Sequence, residues 1–290
     1  MTRLTWAGLL LLSFLWGAAY LVIALALQGF SPTLVVLGRV FLAAAILLPL
    51  AIRQKVLVPL RQHPWWVLLT VLVQSTVPLL SLTFGQRWLS SGVTGVLIGA
   101  QPLFVGLLSV RFDPSERPQG LRGVCGLLLG LAGLVFIFGG DLRTGDHALL
   151  GGALVVLAAM CYAVGALLIH KKLTFIEPLG IATTAMLVST AVLLVPGVLS
   201  WPHHAPPLKA TLALVALGII FTGFTLTLFY GLIARAGPAR ATLAFYLSPG
   251  VTVLLGWLLF GERITWATVL GLLAIVLGSA LAANRVRVEG

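Results

Sequence analysis

Charge is scarce in this chain, and acidic charge is scarcest. Asp and Glu number 7 among 290 residues. All of them, Asp113, Glu116, Asp141, Asp146, Glu177, Glu262 and Glu289, fall between or beyond the long apolar runs. No carboxylate is therefore placed inside an apolar span to carry a proton or hold sodium. Cysteine is nearly missing too. Cys125 and Cys161, both within apolar runs, build neither a disulfide framework nor a zinc site. The adjacent His203 and His204 bring no further metal ligands with them. The chain has no H-E-x-x-H, no paired carboxylates within a span and no serine placed beside a histidine, which argues against an integral membrane enzyme. Connections between the runs are too short for a soluble catalytic or nucleotide-binding domain, and no cofactor or metal is expected.

What the chain has is apolar length. Hydrophobic residues make up 60% and charged ones 9%, where soluble proteins carry roughly 25% charge. Runs near the ~20 residues that cross a bilayer as helix recur throughout. Ten are read: Thr5 to Leu25, Thr33 to Ile52, Trp65 to Phe84, Leu89 to Val110, Leu121 to Phe138, Ala148 to Ile169, Pro178 to Leu199, Ala210 to Ala234, Ala241 to Phe260 and Trp266 to Ala283. The net charge of +11 does not point to nucleic acid. Of 18 Lys and Arg, Arg39 lies within a span, Arg87, Arg143, Lys209 and Arg263 fall on one side, and the remaining 13 fall on the other. By the positive-inside rule both termini are expected in the cytoplasm.

The chain also repeats itself. At a shift of 146 residues Trp16 meets Tyr162, Pro32 meets Pro178, and Glu116-Arg117 meets Glu262-Arg263. At 147, Pro49 meets Pro196 and Pro102 meets Pro249; at 145, Gly126 and Gly133 meet Gly271 and Gly278. Two halves, 1–145 and 146–290, thus hold five spans each. Five is odd, so the second half enters the membrane from the opposite side. Inverted repeats of this kind are a recurrent plan for secondary transporters.

Several residues carry a family resemblance. They are W-G-A-A-Y at Trp16 to Tyr20, Gln101-Pro102 and Ser248-Pro249 in the fourth span of each half, and G-E-R-I at Gly261 to Ile264 followed by Gly271 and Gly278. With these the chain resembles the drug/metabolite transporter superfamily, and its halves resemble the EamA-type repeat. The first half departs from the pattern, with D-P-S-E-R at Asp113 to Arg117. The resemblance implies an all-α polytopic protein that exports small metabolites, amino acids foremost, by alternating access. A multidrug exporter of the same superfamily and a channel are the alternatives.

The prolines and polar residues within spans mark a candidate route. An interior proline leaves a carbonyl without its donor, which a membrane tolerates where neighbours or a wet cavity satisfy it. Pro102 and Pro249, with Gly99 beside the first, read as hinges; Pro78 and Gly223 mark weakened third and eighth spans. Trp16, Tyr20, Gln74, Thr83, Gln101, Tyr162, Thr225, Tyr246 and Ser248 are expected along the substrate pathway, with Tyr230 as a further aromatic. Arg39, the one charged side chain well inside a span, is the candidate contact for a substrate carboxylate. Gly123, Gly126, Gly130 and Gly133 form a smooth helix face, for close packing or for a homodimer.

Overall fold

The apolar runs become helices, and punctuation in the sequence sets their ends. The computed structural model describes residues 3–57, 64–112, 118–140, 147–173, 175–236 and 243–282, except the side chains of 230, 234 and 236. Among these residues run α1 (Arg3–Ala26), α2 (Pro32–Arg53), α3 (Pro64–Trp88), α4 (Ser91–Phe112), α5 (Gly120–Gly140), α6 (Ala148–Lys172) and α7 (Pro178–Leu199). They are followed by α8, in segments Leu208–Gly218, Ile219–Phe224 and Thr225–Ala236, then α9 (Leu243–Phe260) and α10 (Trp266–Ala282). Nine of the ten reach 18 residues and α10 has 17. Proline opens α2, α3 and α7, where its missing N–H would have no partner anyway. Ser31 caps α2 by accepting from the Leu34 N–H at 3.2 Å, and Ser90 caps α4 by accepting from the Val93 N–H at 3.2 Å.

Packing follows the repeat. α1 lies against α9 and α8, as α6 lies against α4 and α3; α2 packs on α7, α4 on α9 and α5 on α10. Exchanging each helix with the one five places on maps the first two pairings onto the next two and the last three onto themselves. The molecule is an all-α polytopic membrane protein, ten helices arranged as two inverted five-helix repeats. The proposed boundary between residues 145 and 146 lies outside the described residues.

Small residues set the closest approaches. A Cβ on Gly278 would stand 2.5 Å from the Gly126 carbonyl oxygen, and one on Gly133 2.9 Å from that of Gly271. The backbones of α5 and α10 therefore touch, as small-residue faces permit. The glycine faces of α5 and α10 thus meet each other within one chain.

Two of the weakened spans share one defect. α3 widens into a π-turn over Leu72–Thr76, where the Val77 N–H reaches the Leu72 carbonyl, and α8 does so over Ile219–Phe224, where the Thr225 N–H reaches that of Ile220. The two lie 147 residues apart, in register with the repeat. Pro78 explains the first, since a residue that cannot donate strands a carbonyl one turn back and a wider turn redistributes the bonding.

The fourth spans differ between halves. α4 stops at Ile98 and restarts at Gln101, with Gly99 and Ala100 as the break. Pro102 then sits in the first turn of the new segment, where no donor is needed. α9 instead runs unbroken through Pro249. There the Ser248 Oγ leans to the Phe245 carbonyl at 3.4 Å, the group that proline leaves without its N–H.

Candidate functional site

Eight helices, all but α5 and α10, enclose a cavity of about 260 Å³. Its volume falls just below the ~300–1,000 Å³ usual for small-molecule pockets. The polar and aromatic residues distribute unevenly over its wall.

Arg39 from α2 supplies the charge. Its Nε donates to the Thr222 Oγ1 of α8 at 2.7 Å, and Thr222 in turn donates to the Leu217 carbonyl at 2.7 Å. That carbonyl lies at the entrance to the π-turn, so Thr222 satisfies a backbone acceptor and positions the guanidinium at once. Tyr20 and Tyr162 line the same cavity as Arg39. The carboxylates among the described residues are Glu177 and Glu262, and neither lines the cavity. A cation thus faces the cavity with no acidic side chain beside it.

An aromatic cluster forms another part of the wall. The rings of Trp16 and Phe245 stack with centroids 4.5 Å apart, and Phe229 tilts against Trp16 at 5.2 Å. Such a surface accepts a ring or an alkyl chain by dispersion and burial. Gln74 of α3 also lines the cavity, while its Oε1, without a partner among the described residues, is buried against α6 at Gly165, where even a methyl group would strike it.

Of the residues read from the sequence, Trp16, Tyr20, Gln74, Gln101, Tyr162, Thr225 and Ser248 line this cavity, together with Gly99, Pro102 and Arg39. Others do not. Thr83 is buried and donates to the Leu79 carbonyl of its own helix at 2.7 Å. Tyr246 is turned away, since Phe245 and Ser248 share the inward face and the residue between them is rotated by about 100°. Gly223 faces α2, where a Cβ would meet the Ile46 Cδ1 at 2.7 Å, and Pro78 is buried in α3 away from the lining. Pro249 packs on α4, its ring 2.8 Å from where a Gly99 Cβ would be. The two proline segments therefore touch each other instead of facing across the space, because Gly95 and Gly99 remove the side chains that would hold α4 and α9 apart. The side chain of Tyr230 lies outside the described residues.

The sequence reading missed Phe229, Phe245 and the role of Glu262, and it placed Thr222 on the polar face of the weakened eighth span without pairing it with Arg39. Gly261, in the left-handed region at φ 63°, turns the chain at the end of α9. The Glu262 carboxylate then accepts from the Ser91 N–H at 2.7 Å and the Gly92 N–H at 2.9 Å. It caps α4 from the other repeat, at the helix end where negative charge is favoured. Its repeat partner Glu116 lies outside the described residues. A signal for Thr222 was present in the repeat, since at a shift of 147 it meets Ser75, itself in the cavity wall.

Relatives agree with this architecture. The model of the EamA-like transporter family matches twice, over residues 4–139 and 149–284, one match on each set of five helices. The uncharacterized transporter YoaV of Bacillus subtilis is 27% identical over 278 residues, covering 93% of this chain and 94% of its own. The uncharacterized inner membrane transporter YedA of Escherichia coli is 29% identical over 288 residues, covering 94% and 89%. A solved crystal structure superposes with a TM-score of 0.68 at 20% identity, covering 97% of this chain and 98% of the other, a likeness of fold. With both halves matched across nearly their full length, the chain belongs to the EamA-like transporter family and is a multi-pass membrane transporter.

Proposed function

We propose that this transporter exports small amphipathic metabolites, amino acids including aromatic ones, across the bacterial inner membrane by alternating access through the central cavity. The observation that carries the reading is Arg39, a guanidinium in the cavity wall without an acidic partner among the described residues, in the same enclosure as the Trp16, Phe229 and Phe245 rings. A half-buried cation with no counter-ion beside it is unfavourable, and a substrate carboxylate reduces that penalty. The aromatic surface takes the apolar part of the same molecule. The cationic drugs of a multidrug exporter would be repelled by Arg39, which ranks that alternative second. The halves 1–145 and 146–290 are the units that move, and both termini face the cytoplasm.

Reconstitution tests this. Proteoliposomes loaded with unlabelled L-phenylalanine should take up labelled L-phenylalanine by exchange, and a cationic dye should not compete. Net accumulation should follow the amino-acid gradient alone. Exchange of the dye in place of the amino acid, or single-channel currents in a planar bilayer, would overturn the proposal.

A further inference from the structure

The two π-turns are equivalent in the repeat, yet their hydroxyls do different things. In α3, Ser75 and Thr76 meet Ser189 of α7, with Thr76 and Ser189 oxygens 2.8 Å apart and Ser189 Oγ donating to Ser75 Oγ at 3.1 Å. This cluster is neutral and buried. In α8 the hydroxyl at the position matching Ser75 is Thr222, and its partner on the facing helix is the guanidinium of Arg39. The positions of α7 that match Arg39 at shifts of 146 and 147 are Ala185 and Met186, both in the cavity wall. A π-turn in this fold is therefore accommodated by hydroxyls alone. Packing does not require a cation at Arg39, and the charge is left for a ligand.

The geometry of the contact then says which ligand and how. A guanidinium can grip a carboxylate side-on, through Nε and one Nη, or end-on, through both Nη groups. Thr222 occupies Nε, which closes the side-on edge. Both Nη groups are without a partner among the described residues. We propose that Thr222 is a positioning residue that fixes Arg39 for end-on, bidentate capture of a single planar carboxylate. Specificity for carboxylates over amines is set in this way by the α8 π-turn. The inference rests on the transport reading above, and it adds the residue that selects the substrate class.

Calorimetric titration of the full-length protein in nanodiscs separates the two. The probes are L-phenylalanine, 3-phenylpropionate with the carboxylate alone, and phenethylamine with the amine alone. Wild type should bind the first two. Thr222→Val keeps the shape and removes the hydroxyl, and it should weaken both about tenfold, the scale of one hydrogen bond to a charged group. Thr222→Ser should restore wild-type affinity. In an Arg39→Gln background, Thr222→Val should have no further effect, a coupling that a loosened helix would not show. If Thr222→Val does not fold, Arg39→Lys replaces it: the point charge cannot grip end-on, so the same carboxylates should weaken about tenfold. Wild-type affinity in Thr222→Val, or in Arg39→Lys where that is the variant used, overturns the positioning role and leaves the transport reading standing. A wild-type protein that binds neither carboxylate overturns the transport reading itself, and this inference with it.

Discussion

Removing the Glu262 carboxylate should loosen the contact between the two repeats at the start of α4. Its two oxygens accept from the Ser91 and Gly92 N–H groups, and Ser90 takes the Val93 N–H, so all three donors of that first turn are occupied. A hydrogen bond to a charged group is worth about 1.5–3 kcal/mol net. The two here share one half-buried carboxylate, so they do not add fully, and water reaches the vacated donors in part. Glu262→Ala should therefore cost about 2–3 kcal/mol, and Glu262→Gln, which keeps one neutral acceptor, about half of that. Thermal unfolding in detergent, followed by tryptophan fluorescence, should show a Tm lower by about 3–5 °C for the alanine variant. Gly256→Ala offers an independent check, because its added methyl would collide with the Glu262 Oε2. It should mimic Glu262→Gln alone and cost less when Glu262 is already alanine. If Glu262→Ala melts within a degree of wild type, the cross-repeat cap contributes nothing and the reasoning fails.

The prolines should behave unequally. Pro102→Ala, in the first turn of a restarted segment, should leave exchange near the wild-type rate. Pro249→Ala, in an unbroken helix whose ring packs on Gly99, should slow it at unchanged L-phenylalanine affinity; equal slowing of both variants in proteoliposomes would refute the distinction. For topology, single cysteines replacing Gly145 and His204 in a chain lacking Cys125 and Cys161 should react with an impermeant maleimide on intact cells. Cysteines at Gln62 and Ala236 should not, and labelling at Gln62 would reverse the orientation.

Spans were legible in the sequence because hydrophobic length is a one-dimensional property. The run Leu89 to Val110 became Ser91–Phe112, its start set by the Ser90 cap and its end two residues later. Glycine spacing was legible in the same way, though Gly126 and Gly133 announce a smooth face without naming its partner. Which residues face the cavity was harder to read. A helix turns about 100° per residue, so Phe245 enters the wall where Tyr246 does not, and each π-turn shifts the face of everything after it. The repeat marks Thr222 as the counterpart of Ser75, but that it meets Arg39 follows only from the turn that the extra residue gives α8. Glu262 was beyond reach for another reason, since its partners, Ser91 and Gly92, lie in the other repeat about 170 residues away.

The repeats share a plan and differ at the residues that satisfy it, and for a transporter this difference has a thermodynamic consequence. In an inverted pair that alternates as proposed, the two access states correspond to the halves exchanging conformations. Identical halves would make those states equal in energy. Here α4 is broken before Pro102 while α9 runs through Pro249, and one π-turn is tied to Arg39 while the other is tied to Ser189. These contacts cannot be exchanged without change, so the empty protein must prefer one state. A bias of about 1.4 kcal/mol is already a tenfold population ratio, comparable to a single hydrogen bond to Arg39. A carboxylate bound at that guanidinium competes on the same scale, and can therefore move the balance between the states by binding one of them better.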